Sequence, residues 1–421
     1  MSSMDLAAER SLYRFAGSKL ILNSLDELRM NHNTGENRFF KGISLNILLL
    51  GIVSFLNDLS SEMIMPTLPM FVASLGGGSL VIGLLGGVRD SLSSILNVFA
   101  GYWSDKTGKR RIFVFSGYLT SSIFKFFLAL AKVWPQAIVF ASAERIGKGL
   151  RSAARDAIIA ESMDRDRGKG FGIHRTFDTL GAVFGALVAF LMYEFFNANF
   201  KTIIFTAAVL SFISLIPIFF VKGSERKPNN AVLKLGFRSL SKPLKLFVLI
   251  SGAFALGNFS YMFFIMRAQQ AFTGKSSVAV PLLLYVFFNI FYAAFAIPLG
   301  IASDKFGRKR LLAIGYVCFA IVCFGFAFLT SLFWLIVLFA LYGITYAAVD
   351  GNQRAFVSDL AIPEIKGTAL GTFHTIIGLM ALPAGLIAGT LWASVGPQAV
   401  FIYGGVIGFS CSLLLLVLLG R

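Results

Sequence analysis

Charged residues are scarce in this sequence: Asp, Glu, Lys and Arg make up 14% of the 421 residues, and cysteine and histidine occur three times each. Hydrophobic residues make up 56% and include 45 Phe, which is far more than a soluble domain carries. The cysteines Cys318, Cys323 and Cys411 lie inside apolar stretches, at no spacing that suits metal ligation. The composition therefore excludes a soluble domain, and we expect a membrane protein without metal or cofactor.

Long apolar runs take the place of the missing charge. From about residue 43 onward, runs of roughly 18 to 25 residues follow one another, and each is long enough to cross a bilayer core as a helix. The twelve runs lie near 43–71, 80–103, 112–131, 136–160, 169–193, 200–221, 243–271, 277–302, 311–331, 333–357, 368–393 and 398–420. Their length and their lack of alternation argue against barrel strands. The predicted fold is all-α, with twelve transmembrane helices.

The net charge of +17 is distributed unevenly between the two sides of the membrane. Alternate loops after the first run hold 19 Lys and Arg on one side, and only Lys132, Lys201 and Lys275 on the other. Under the positive-inside rule the basic side is cytoplasmic, so both termini are expected in the cytoplasm of a cell (inner) membrane protein. This placement explains the charge without a nucleic-acid partner.

One charged loop occurs twice. The sequence GYWSDKTGKRR at 101–111 returns 199 residues later as GIASDKFGRKR at 300–310, and the same offset relates Gly172 to Gly371 and Thr176 to Thr375. An offset held this far indicates duplication of a six-helix unit. We therefore predict two bundles, at 42–221 and 243–421, joined by a cytoplasmic linker at 222–242 and preceded by a cytoplasmic extension at 1–41. Secondary transporters built from parallel repeats have this organisation.

The repeated loop resembles the pattern G-x-x-x-D-x-x-G-R/K-R/K of the major facilitator superfamily, and the resemblance covers roughly residues 43–420. It implies two six-helix bundles related by pseudo-twofold symmetry, which rock about a central site. It also implies that the loop aspartate pairs with basic residues across the bundle in the outward-open state. The expected conformational latch comprises Gly101, Asp105, Gly108, Arg110, Arg111, Gly300, Asp304, Gly307 and Arg310.

Two further stretches resemble motifs of that superfamily. AERIGKGLRSAARD in the fourth run matches R-x-x-Q-G-x-G at Arg145 and Gly149 but has Lys148 and Arg151 at other motif positions. The fifth run has the glycine spacing of the antiporter motif at Gly172, Gly181 and Gly185, although Ala186 stands where proline is usual. These glycines are expected to pack helices closely, either as the seal of an exchanger or as ordinary small-residue contacts.

Ionisable side chains inside a membrane are costly and therefore point to function. Asp58 and Glu62 lie one helical turn apart, as do His174 and Asp178. The proton-coupling candidates are Asp58, Glu62, Arg145 and Asp178, with a static Arg175–Asp178 pair as the alternative for the last. The substrate-cavity candidates are Arg89, Asp90, His174, Arg175, Asn258, Asn289, Asn352 and His374. We interpret His174 and His374 as a polar pair or as unrelated side chains, and not as metal ligands, because they lie in different halves and no thiolate cluster accompanies them.

The sequence thus favours a secondary transporter that moves a small organic solute by alternating access, most simply as a proton-coupled exporter (antiporter). Its expected partners are the substrate, protons and lipid, and we expect a monomer. One alternative is uptake or facilitated transport of an anionic metabolite, drawn by the basic face of the fourth run. Another is a receptor or scaffold that does not transport. No arrangement of nucleophile and base and no phosphate-binding loop indicates an enzyme.

Overall fold

A computed structural model of the chain describes residues 44–163, 167–221, 236–237, 240–362 and 365–418. The predicted extension at 1–41 and most of the predicted linker at 222–242 lie outside these residues. The helices are α1 (Leu45–Ile64), α2 (Leu68–Ser74), α3 (Ser79–Thr107), α4 (Arg110–Ala129), α5 (Trp134–Glu161), α6 (Arg167–Glu194), α7 (Phe200–Ile213), a 3₁₀ turn (Ile216–Phe220), α8 (Lys242–Gly257), α9 (Met262–Gln269), α10 (Ser276–Phe306), α11 (Arg308–Phe328), α12 (Leu332–Leu360), α13 (Lys366–Ser394) and α14 (Pro397–Leu418).

Eleven helical segments of the described chain are long and apolar enough to cross a membrane. The remaining predicted span is α5, a 28-residue helix that carries Glu144, Arg145, Lys148 and Arg151 within two turns. Composition alone therefore does not identify this helix as a span. It packs between α3 and α4, where Glu144, Arg145 and Arg151 are buried in protein and not exposed to lipid.

Two predicted spans, the first and the seventh, are each divided into two α-helices. The first divides into α1 and α2 at Met65–Thr67, because Pro66 has no amide hydrogen with which to continue the helix. The Thr67 hydroxyl donates to the carbonyls of Met63 and Ile64 and so satisfies the end of α1. The seventh span divides into α8 and α9 around residues 258–261. The two breaks meet where the Tyr261 hydroxyl donates to the Met65 carbonyl over 3.1 Å.

Helix packing repeats between the two halves of the chain. In the N half (α1–α7), α1 packs on α6 and α7, while α5 packs on α3 and α4, and α4 packs on α7. In the C half (α8–α14), the corresponding pairs are α8 with α13 and α14, α12 with α10 and α11, and α11 with α14. The main contacts between the halves are α3 with α13 and α6 with α10. Helix α3 corresponds to α10 and α6 corresponds to α13, so these two contacts are equivalent to each other. The packing is that of two related six-helix bundles.

The halves touch at one end of the molecule and through its middle. We call the end at residues 101–111 and 300–310 the latch end and the opposite end the far end. Near the far end, Ser79 donates to the Gly389 carbonyl over 3.2 Å, and a Cβ on Gly83 would lie 2.1 Å from the Gly385 carbonyl oxygen. Only glycine permits this approach of α3 to α13. The Lys275 ammonium also reaches Glu194 across the halves.

Candidate functional site

The middle of the interface holds polar contacts between the halves. Tyr285 of α10 donates its hydroxyl to Glu62 Oε2 of α1 over 2.9 Å. Arg175 of α6 donates to the Tyr292 hydroxyl of α10 over 2.5 Å, and that hydroxyl lies 3.4 Å from Asp350 of α12. Two predicted site residues, Glu62 and Arg175, therefore connect the N half to tyrosines of the C half.

A buried charge cluster lies beside these contacts. Glu144 Oε2 lies 3.4 Å from Arg89 Nη2 and 3.4 Å from Arg145 Nε, and each of the three side chains is at most 8% exposed. Helix α3 supplies Arg89, and α5 supplies the other two. One carboxylate is therefore shared by two guanidinium groups, which leaves the cluster with an excess of positive charge. The neighbouring Asp90, in contrast, is exposed.

Lys125 of α4 adds a further cation and is fully buried, although the apolar stretch around it gave no expectation of a role. Its ammonium donates to Ser61 Oγ over 2.9 Å and to Ser60 Oγ over 3.0 Å, with Asn57 and Ser211 oxygens at 3.4 Å. A small internal cavity separates it from Glu144 and Arg89. A single lysine in the middle of an otherwise uncharged span was the signal that could have identified it.

Met65, in the break between α1 and α2, was also not predicted. Its sulfur lies 2.7 Å from Arg145 Nη2, 3.0 Å from the Tyr261 hydroxyl and 3.6 Å from Arg89 Nη2. The N half supplies the two arginines, and the C half supplies the tyrosine. The predicted residues Arg89 and Arg145 are thus brought together, at a point where both halves contribute.

Helices α1 and α6 carry the remaining proton-coupling candidates. Asp178 Oδ2 lies 3.5 Å from His174 Nδ1, one turn earlier in α6. The alternative pair of Arg175 with Asp178 does not form, because Arg175 points to Tyr292 in the other half. Asp58 is half-buried and accepts a weak 3.4 Å hydrogen bond from Asn57. It belongs to the same pair of packed helices, since α1 contacts α6 along its length.

The three glycines of α6 that were predicted to pack closely differ from one another. A Cβ on Gly181 would lie 2.6 Å from the Phe55 carbonyl oxygen, and one on Gly185 would lie 2.3 Å from that of Leu59. Both glycines therefore allow α6 to pack directly on the backbone of α1. A Cβ on Gly172 would meet no atom within 4 Å. The expectation of close packing at Gly172 is not met here, because this glycine lies near the latch end, where the helix has open space beside it.

The candidates of the C half are less connected. Asn352 donates to the Ala348 carbonyl of its own helix over 2.9 Å, and Asn258 caps the end of α8. Asn289 is buried, and its amide nitrogen has no hydrogen-bond partner among the described residues. His374 packs against the Phe373 ring, far along the sequence from the His174–Asp178 pair. Within the described ranges, no three His, Cys, Asp or Glu residues are grouped so that they could hold a metal ion.

The latch residues pair within each half. Arg110 contacts Asp105 over 2.7 Å and also binds Glu161. In the second copy Arg308 contacts Asp304 over 2.8 Å and also binds Asp359. Between residues that the structure describes, no hydrogen bond or ion pair joins the halves at this end. The turns need glycine, since φ is 69° at Gly108 and 93° at Gly307.

Two latch residues do not contact the aspartate of their copy in this structure. Arg310 is exposed, and Asp304 is instead contacted by Arg308, which follows it across the turn at Gly307. Arg111 donates to the Phe219 carbonyl over 2.7 Å and so fastens α4 to the 3₁₀ turn. Gly101 packs against Ala153 of α5, with a Cβ position 3.0 Å from that methyl group, whereas Gly300 has open space beside it.

These features define a class: an integral membrane protein made of two related helical bundles with buried charge where they meet. A sequence model described as Major Facilitator Superfamily matches residues 50–291 and 274–421. An uncharacterized MFS-type transporter of Methanocaldococcus jannaschii is 54% identical over 378 residues, which cover 89% of this chain and 95% of that protein. The chain belongs to the Major Facilitator Superfamily and is therefore a membrane transporter and not an enzyme.

More distant likenesses agree with that assignment. The multi-drug resistance efflux pump PmrA of Streptococcus pneumoniae is 30% identical over 142 residues, or 34% of this chain and 35% of the pump. A crystal structure of a mutant nucleoside transporter NupG has a TM-score of 0.77 at 16% identity and covers 89% of this chain and all of that one. The crystal structure of the POT family transporter PepTSo has a TM-score of 0.75 at 12% identity and covers 88% of this chain and 97% of that one. At such identities the solved structures establish the fold alone.

Proposed function

We propose that the chain is a proton-coupled exporter that moves a small organic solute by alternating access between its two halves. The hydrogen bond between Glu62 of the N half and Tyr285 of the C half carries the proposal. An ionised Glu62 accepts a stronger bond from the tyrosine than a protonated Glu62 does, because charge strengthens the acceptor. Binding of a proton at this carboxylate therefore changes the free energy with which the halves hold together.

Other features support coupling in the same region. Asp58 and the His174–Asp178 pair lie on α1 and α6, whose contact at Gly181 and Gly185 is backbone to backbone. Proton binding at any of these groups acts on α1 or α6. The same two helices contain Glu62 and Arg175, whose side chains contact tyrosines of the C half. The likeness to PmrA, named an efflux pump, favours export as the direction.

The latch end supports alternating access. The pairs Arg110–Asp105 and Arg308–Asp304 stay within their own halves, while the halves touch at the far end. We propose that this is the inward-facing state, with the basic latch end in the cytoplasm, and that the latch residues exchange partners across the halves in the opposite state.

The test is flux in proteoliposomes under an imposed pH gradient, with a substrate panel loaded inside. Solute efflux driven by inward proton movement supports the proposal, and flux that does not depend on the pH gradient contradicts it. Glu62→Gln should abolish gradient-driven flux yet leave exchange of solute across the membrane, because the neutral amide still bonds Tyr285 but no longer binds a proton. Asp156→Asn neutralises a carboxylate that pairs with its neighbour Arg155, outside the centre and the latch, and is the control that should keep coupled flux.

Uptake or facilitated passage of an anionic metabolite is the second candidate, and the excess of buried cations around Glu144 favours it. The same liposomes distinguish it: solute accumulation against its gradient, or flux without proton dependence, would replace export as the conclusion.

A further inference from the structure

Three charged or polar donors converge on one weak acceptor at the centre of the molecule. Arg145 Nη2, the Tyr261 hydroxyl and Arg89 Nη2 lie 2.7, 3.0 and 3.6 Å from the Met65 sulfur. A thioether is a poor hydrogen-bond acceptor, and guanidinium groups prefer carboxylate or phosphate oxygens in a planar, two-pronged geometry. The two guanidinium groups are arranged for an acceptor stronger than the thioether that occupies the place. The Tyr261 hydroxyl also donates to the Met65 carbonyl over 3.1 Å, a bond that is lost if Met65 moves away.

The charge around this point is not neutralised. Glu144 is the carboxylate that contacts Arg89 and Arg145, and the buried ammonium of Lys125 lies across a small cavity from it. The Nε atom of Arg89 is buried and has no hydrogen-bond partner among the described residues, while Arg145 Nε has only the 3.4 Å ion-pair contact with Glu144 Oε2. Of the other nearby carboxylates, Glu62 is bonded to Tyr285 and Asp90 is exposed. Buried charged donors without acceptors are costly, so a ligand that supplies acceptors gains that free energy.

The Met65 side chain can move away from the three donors. It lies in the non-helical break after α1, is only half-buried, and has a flexible unbranched side chain. We propose that a carboxylate or phosphate group of the transported solute binds Arg89, Arg145 and Tyr261 in the place of the Met65 thioether. The inference rests on the proposed transport of a small organic solute and adds the chemical class of that solute. Since Tyr261 belongs to the C half and the arginines to the N half, the anion would hold both halves together.

The experiment measures the thermal unfolding midpoint of the full chain in detergent, at constant ionic strength, with chloride replaced by glutarate or by inorganic phosphate. Either anion at about ten times its dissociation constant should raise the midpoint by about 2 °C. Arg145→Gln should weaken the response about tenfold or more in concentration, since it removes a charged hydrogen bond. Met65→Leu should keep the response, because it removes only the placeholder sulfur.

Two further variants keep the test decisive if Arg145→Gln does not fold. Met65→Glu places a tethered carboxylate among the donors, so it should raise the midpoint without ligand and abolish the response to added anions. Tyr261→Phe should reduce the response while it preserves the ring packing. Arg155→Gln removes an arginine from the same helix, outside the cluster, and should respond as the wild type does.

Two outcomes would overturn the inference: no shift of the wild-type midpoint by either anion, or an equal shift in Arg145→Gln, Met65→Glu and the wild type, which would be a general salt effect. A response to glutarate alone assigns a carboxylate, and one to phosphate alone assigns a phosphate. The measurement uses no gradient, so absence of proton-driven flux would contradict the proposed coupling and leave this site standing. Loss of the anion response alongside intact proton-driven flux would contradict this site only.

Discussion

Glu144 is the residue on which the charged interior of the N half most depends. Arg89 and Arg145 are both almost fully buried and both contact its Oε2 atom. Removing one partner of a buried ion pair leaves an uncompensated charge, which costs about 3–5 kcal/mol, whereas the intact pair adds little over an apolar substitute. The intact cluster thus adds little net stability, although each of its members depends on the others.

Glu144→Gln should therefore destabilise the protein by about 3–5 kcal/mol, measured as the free energy of unfolding in detergent. Combining it with Arg89→Gln should cost less than the sum of the two single changes, because the cation that lost its partner is also gone. Asp359→Asn breaks an ion pair whose carboxylate side chain is 53% exposed, and it should cost at most about 1 kcal/mol. Equal losses for Glu144→Gln and Asp359→Asn would contradict the account.

Local spacing predicted some of these residues and could not predict the others. Arg89 and Arg145 were identifiable because charge is rare in the spans, and His174 and Asp178 because they lie one turn apart. Tyr261 and Tyr285 were hidden among abundant aromatic residues that mostly pack. Which tyrosine reaches Glu62 depends on the rotation of α1 against α10, and that rotation is fixed by contacts across 223 positions of sequence.

Among the helices, the contact of α1 with α6 illustrates how glycine positions fix a close packing. The backbone of α1 lies where a Cβ on Gly181 or Gly185 would be, so any side chain there forces the two helices apart. Such overpacking costs about 1–3 kcal/mol. The same helices carry Asp58, Glu62 and Asp178, so their spacing also sets the distances between the proton-coupling candidates.

Gly181→Ala should lower the free energy of unfolding by about 1–3 kcal/mol and reduce transport. Gly172→Ala is the matched control: it is in the same helix, it has open space beside its Cα, and the gain in helix propensity should leave it neutral or more stable by up to about 1 kcal/mol. The thermal unfolding midpoints of the two variants measure the two stability changes, and flux in proteoliposomes measures transport. A Gly172→Ala variant that loses as much stability as Gly181→Ala would show that helix α6 is sensitive throughout, and not at its contact with α1.

The helices were more predictable than their interruptions. Apolar run length located eleven spans, because a run of that length between charged loops has little alternative in a membrane. Helix α5 carries several charges, and its burial between α3 and α4 is what explains them. The breaks at Met65–Thr67 and near Asn258 were not predicted, since both lie inside continuous apolar runs and only Pro66 marks the first. They matter because Met65 and Tyr261, the two ends of one contact between the halves, come from these breaks.

Considered as a whole, the molecule is two bundles whose direct contact is concentrated away from the latch end. Ser91 donates to the Gly378 carbonyl over 2.5 Å. Ser91 lies 14 residues before Asp105, or about 21 Å along α3 from the latch. The repeat in the sequence predicted the two bundles, but it could not predict which end is closed, because both states use the same helices. The state is decided by small differences in contact free energy between the two ends.

Gly83→Ala should shift that balance toward the state closed at the latch end. Its methyl group would lie 2.1 Å from the Gly385 carbonyl oxygen, so it weakens the far-end contact of α3 with α13. A cost of about 1.4 kcal/mol to this state alone changes the ratio of the two states about tenfold.

Spin labels on cysteines at Lys106 and Lys305, both exposed at the latch end, should then report a larger population of short distances, in a background with Cys318, Cys323 and Cys411 replaced. Gly351→Ala, in α12 and outside the latch, has open space beside it and should leave the distances as they are in the wild type. An unchanged distribution in Gly83→Ala, or the same shift in Gly351→Ala, would mean that the far-end contact does not hold the molecule in this state.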